Sequence, residues 1–138
     1  MADDDLSRLA DDPDLTVQIA IGIEHFEDGL VTLTVHGDGR ATVVVRNAGQ
    51  EQRYERRLEA DELRRLGEEL DKLGLTSLRA RPGGRPPDDA PIDVLVARDG
   101  RPLHSAELWY GDRWDDPRLD GVVRRFDALV DQIKAGAA

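Results

Sequence analysis

Side chains able to act as nucleophiles or metal ligands are few in this chain, and their spacing does not group them. The hydroxyls are Ser7, Ser77 and Ser105 with Thr16, Thr32, Thr34, Thr42 and Thr76, and there is no cysteine. A serine hydrolase needs a base within hydrogen-bond reach of its hydroxyl. His104 adjoins Ser105 in sequence, but neighbours in a strand point to opposite faces, so this pair does not supply one. His25, His36 and His104 lack metal-ligand spacing. Aspartates recur at Asp3-Asp4-Asp5, Asp11-Asp12-Asp14, Asp88-Asp89 and Asp112-Asp115-Asp116. None follows the calcium-loop pattern of alternating acids, a central glycine and a closing glutamate. Nor is there a glycine-rich phosphate loop, a Gly-x-Ser-x-Gly or a His-Glu-x-x-His. The residues point to no catalytic group, no metal ligand and no cofactor.

One stretch stands apart. Residues 108–117 read Leu-Trp-Tyr-Gly-Asp-Arg-Trp-Asp-Asp-Pro and hold three of the six aromatic residues of an aromatic-poor chain. Strand alternation turns Trp109 away from the side that buries Leu108 and Tyr110, and Trp114 falls in a loop. Tryptophan, tyrosine and arginine dominate interface hot spots, because large rigid rings and a planar cation bury much area at low entropic cost. Trp109, Arg113 and Trp114, rimmed by Asp112, Asp115 and Asp116, are therefore the candidate partner-binding residues. The acidic rim selects a basic partner.

The elements that must carry these residues follow from periodicity. Leu15, Val17, Ile19, Ile21 and Ile23 alternate with polar or small residues, which predicts a strand with one buried face. Val31, Leu33 and Val35 predict a second strand, and Ala41, Val43 and Val45 a third. A three-residue loop with Gly39 left-handed pairs Val35 with Ala41, Leu33 with Val43 and Val31 with Val45, so that every apolar residue shares a face. A two-residue turn there would set Val31 against Arg46. Residues 50–58 form a fourth, charged strand suited to a sheet edge. Leu63, Leu66, Leu70 and Leu73 predict a helix over about residues 60–73, closed by Gly74 in a left-handed cap. Strands at 92–97 and 103–110 follow. Their connection repeats the Asp-Gly-Arg of residues 38–40, and the same three-residue loop would set Val94 opposite His104 and Ile92 opposite Ala106. Asp116 and Pro117 then read as the N-cap and first residue of a final helix, with Leu119, Val122, Val123, Phe126, Val130 and Ile133 as its apolar stripe.

The order β-β-β-β-α-β-β-α predicts an α+β fold: a single antiparallel sheet of about six strands with two helices packed on one face. Residues 15–134 make the domain. Residues 1–14 form an acidic N-terminal tail, either disordered or one short helix around Leu6 and Leu9. Residues 79–91, rich in proline, glycine and arginine, read as a mobile loop, and 135–138 as a frayed end. Of the formal charge of −10, residues 1–14 carry half: six aspartates against Arg8. A negative protein repels phosphate backbones, which argues against nucleic-acid and anionic-membrane binding. The lack of cysteine, of a long apolar run and of a leader-like start points to a cytoplasmic protein.

The meander Thr-Val-His-Gly-Asp-Gly-Arg-Ala-Thr at 34–42 and the helix Ala-Asp-Glu-Leu-Arg-Arg-Leu-Gly-Glu-Glu-Leu at 60–70 precede two strands and a terminal helix. In this the chain resembles a class of uncharacterised bacterial single-domain proteins over about residues 15–134. The resemblance implies a fold but no established activity, so it assigns no functional residue. The functional expectation is a non-catalytic interaction or regulatory module, inhibitor- or immunity-like, that binds a protein partner with a basic surface. Two alternatives stand beside it: a small-molecule-binding protein or small enzyme with a pocket between sheet and helices, and a structural homo-oligomeric subunit.

Overall fold

The computed structural model describes residues 6–23, 29–79 and 90–136. Alternating apolar residues produce six strands: β1 (Leu15–Ile21), β2 (Leu30–His36), β3 (Arg40–Asn47), β4 (Gln50–Arg57), β5 (Pro91–Arg98) and β6 (Arg101–Trp109). Helix α1 (Ala60–Lys72) lies between β4 and β5, and α2 (Pro117–Gly136) follows β6. Short 3-10 turns cover Leu6–Asp11, Leu75–Ser77 and Tyr110–Trp114. All strands pair antiparallel in one sheet of order β4-β3-β2-β1-β5-β6. This is the expected α+β architecture, with both helices on one face.

The core lies between that face and the helices. Val17 and Ile19 of β1, Leu33 and Val35 of β2, Val43 of β3 and Val94 and Val96 of β5 meet Leu63, Leu66 and Leu70 of α1 and the stripe of α2. Leu129 joins the α2 stripe that periodicity outlines. The packing is tight: the hollow bounded by Val17, Leu33, Leu66 and Phe126 has a volume of about 10 Å³. A water molecule needs roughly 10–15 Å³. The sheet and the helices are thus in close contact at this point.

The first hairpin has the register that burial demands. Val35 pairs with Ala41, Leu33 with Val43 and Val31 with Val45, around the loop Gly37-Asp38-Gly39. Gly39 has φ +100°, a region that L side chains avoid, and the Asp38 carboxylate accepts the Arg40 amide at 3.0 Å. Charged β4 occupies one edge of the sheet.

The β5–β6 hairpin differs from expectation. Val94 pairs with Ala106 and Ile92 with Leu108, not with His104 and Ala106. The turn has two residues, since Arg98 pairs with Arg101, and Asp99 and Gly100 both have positive φ (52° and 80°). That is the requirement of a type I′ turn. An irregularity at Val96/Ala97 then restores the parity that puts Leu108 on the core side. The same Asp-Gly-Arg thus makes two different turns, and the residue before it is what differs. Gly37 lies so close to the N-terminal segment that a Cβ there would sit 1.7 Å from the Asp12 carbonyl oxygen. Arg98 instead stays in its strand, with its guanidinium 2.7 Å from the Asp12 carboxylate.

Within the described residues, the N-terminal segment is part of the core. Leu6 and Leu9 are 1% and 0% exposed, and they pack along α1 where Gly67 lets the backbones meet. A Cβ on Gly67 would lie 2.3 Å from the Leu6 carbonyl oxygen. The residues expected to form a mobile loop fall largely outside the described ones.

Candidate interaction site at the β6–α2 connection

Between the end of β6 and the start of α2 the chain makes one 3-10 turn, Tyr110–Trp114, and then starts a new helix. Asp116 sets that start. Its Oδ1 accepts the Arg118 amide at 3.0 Å and the Leu119 amide at 3.4 Å, satisfying donors that a helix N-terminus leaves open. Pro117 occupies the first helical position, where a missing N–H costs nothing.

Arg113 organises the turn. It is buried, with its Nε 2.7 Å from Asp120 Oδ1, and its Nη1 donates to the Tyr110 hydroxyl. The guanidinium carbon lies 4.8 Å from the ring centroids of both Tyr110 and Trp114. The cation therefore lies over both rings, a contact that the ring quadrupole favours. Asp120 also takes Arg124 Nε at 2.9 Å on its second oxygen. The Arg113 hydrogen bond holds the Asp120 carboxyl below the usual carboxylate range; desolvation opposes this, and the Arg124 and Arg113 charges reinforce it. Burial works against the charge on Arg113, but the Asp120 bond and the fields of Tyr110 and Asp120 outweigh it and raise its pKa. Arg113 is therefore a cation at ordinary pH.

The six candidate residues thus separate into two roles. Trp114 is 71% exposed, and Asp115 is exposed beside it. Arg113 and Trp109 are buried, Trp109 at 8%, so neither presents its side chain to a partner. Asp112 and Asp116 are half-buried, with Asp116 engaged in the cap. Among the described residues Ile23 is the other exposed large hydrophobic, at 36%. The cluster includes two residues outside the six candidates: Tyr110, which strand alternation assigns to the buried side, and Asp120. The four-residue spacing of Asp120 and Arg124 on a helix is the signal that points to Asp120.

The remaining chemistry-bearing residues are dispersed. His36 Nδ1 lies 3.3 Å from Thr16 Oγ1, and half-buried His104 pairs across the ladder with Val96. Ser77 donates to the Gly74 carbonyl, and His25 lies outside the described residues. Among the described residues no three His, Asp or Glu side chains converge on a metal position, and no helix is long and apolar enough to cross a membrane. No protein-family model matches the chain, and no curated protein is found to be similar to it.

Proposed function

We propose that this chain is a non-catalytic protein-interaction module, inhibitor- or immunity-like, acting in a bacterial cytoplasm on a protein partner with a basic surface. The observation that carries this reading is Trp114: a large apolar ring held out into solvent on a fixed base. An exposed indole is ordinarily mobile and loses entropy on binding. Here one face already rests on Arg113, which is itself fixed by Asp120 and Tyr110, so less order remains to be imposed. Asp115 beside it and the formal charge of −10 favour encounter with a basic surface and disfavour acidic ones.

The test is capture of a partner from the native host by the wild-type chain, followed by titration of that partner against Trp114→Ala. A central hot-spot tryptophan contributes about 2 kcal/mol or more, so affinity should fall by roughly thirtyfold or more. Raising the salt concentration should slow association, since the steering is electrostatic. Equal affinity for the variant, with its circular dichroism unchanged, removes the proposal.

A further inference from the structure

Helices α1 and α2 lie side by side over the sheet, and a cleft of about 300 Å³ opens between them. Glu62, Arg65, Leu66 and Glu69, at helical spacing on α1, form one wall, and Arg125, Leu129 and Gln132 of α2 form the other. The floor is the outer edge of the core: Leu58, Leu66 and Leu129. Two polar contacts cross the cleft. Gln132 Nε2 donates to Glu62 Oε2 at 2.8 Å, and Arg125 Nε lies 3.0 Å from Glu69 Oε2. The two are unequal. Glu62 is fully engaged, since its carboxylate also takes Arg56 Nη1 at 3.4 Å and the Glu59 amide at 3.3 Å. The Arg125–Glu69 pair is held by charge alone: the buried Nε–H makes no aligned hydrogen bond among the described residues. Glu69 accepts no hydrogen bond among those residues, and Arg65 has no ion-pair partner among them.

We propose that this cleft binds a small zwitterion, an α-amino acid with an aliphatic side chain. Charge balance selects the class. The lining holds two arginines and two glutamates. A plain carboxylate that took Arg125 would leave Glu69 without its counter-ion, and a plain amine that took Glu69 would leave Arg125 without one. A dipolar ion inserted between the two keeps every charge paired. Its carboxylate accepts from Arg125 and from the free Arg65 guanidinium, and its ammonium donates to Glu69. A ligand of zero net charge is also indifferent to the protein's formal charge of −10, which repels plain anions. The size agrees. At about 30 Å³ per water the cleft holds roughly ten waters, the space of a ligand with about ten non-hydrogen atoms. The floor offers only leucine side chains, so the group that rests on it is aliphatic. The cleft shares no residue with the Arg113–Trp114 cluster, and the inference is independent of the interaction reading.

Calorimetric titration of the full chain with L-leucine tests it. Binding should be saturable, with a Kd below about 1 mM. Isocaproate and isoamylamine, which are leucine without its ammonium and without its carboxylate, should each bind about tenfold more weakly or worse. Arg65→Gln and Glu69→Gln should each lower the affinity for leucine by about tenfold or more. Both side chains are exposed, so circular dichroism should be unchanged. Glu69→Gln should also narrow the gap between leucine and isocaproate, because the ammonium has lost its acceptor; a purely structural effect would leave that gap as it was. No saturable binding of leucine up to about 10 mM overturns the proposal. So does isocaproate or isoamylamine binding as tightly as leucine, or a pair of variants that bind leucine like the wild type.

Discussion

Leucines 6 and 9 offer the sharpest test of how the chain is held together, because they lie in a segment whose composition suggests a detached acidic leader. Both are buried, at 1% and 0% exposure, against α1. Truncating a fully buried leucine to alanine costs about 2–5 kcal/mol, the transfer of its methyl groups plus the cavity they leave. Total stability of a domain is typically ~5–15 kcal/mol. Leu9→Ala should therefore remove a large fraction of it, lowering the urea midpoint by about 0.7–5 M for a slope of ~1–3 kcal/mol/M. Asp11→Asn, which alters an exposed charge in the same turn, should move the midpoint little. Gly67→Ala adds a test of sign. At an ordinary helix interior this change stabilises by roughly 1 kcal/mol. Here the added methyl would meet the Leu6 carbonyl oxygen at 2.3 Å, so it should destabilise and increase proteolysis at the N-terminal segment. Equilibrium denaturation followed by circular dichroism reads all three. A midpoint for Leu9→Ala within error of wild type, or a stabilising Gly67→Ala, would refute the docking of this segment on α1.

Two further outcomes concern the β6–α2 connection. Asp116→Ala removes the acceptor for the Arg118 and Leu119 amides and should cost about 1 kcal/mol, seen as a lower urea midpoint with unchanged slope; Asp116→Asn should recover most of it. Because Asp120 is held below the usual carboxylate range by Arg113, its folded pKa lies below its unfolded one. The pair's contribution is then fully present above the unfolded value of about 3.9 and is lost as pH falls through the folded one. Asp120→Asn should flatten that part of the acid limb in urea midpoints measured from about pH 2 to 6. An acid limb identical to wild type would show that the pair adds nothing.

The local pattern was legible wherever one face of an element is buried. Alternation in residues 15–21, 31–35 and 41–45 places the strands, although the pattern runs on to Ile23, which lies beyond β1 and is 36% exposed; the need to keep Val31, Leu33 and Val35 on one side with Ala41, Val43 and Val45 selects the hairpin register. The capping signals at Gly74 and Asp116 lie where the helices end and begin. The β5–β6 turn was not legible from its own residues, because Asp-Gly-Arg is compatible with two turn types. The two turns differ in surroundings far away in sequence: the Gly37 backbone lies against the Asp12 carbonyl, whereas Arg98 stays in its strand and meets the Asp12 carboxylate through its guanidinium. In the β6–α2 connection the tryptophans are visible as a cluster, but their exposures, 71% for Trp114 and 8% for Trp109, are not. Alternation says which face a side chain occupies and is silent about what else lies over that face.

Strand order shows the same division on a larger scale. Periodicity and turn chemistry act over a few residues, so they determine the hairpins, the helices and the single-sheet class. They do not determine that β5 joins the free edge of β1, at the far side of the sheet from β4. That pairing satisfies the remaining backbone donors and acceptors of β1 and brings Ile92, Val94 and Val96 under the helices. It is won by the burial of several stripes at once, a sum over residues distant in sequence. The cluster of Arg113 with Tyr110, Trp114 and Asp120 arises in the same way: it exists only after the layers have closed.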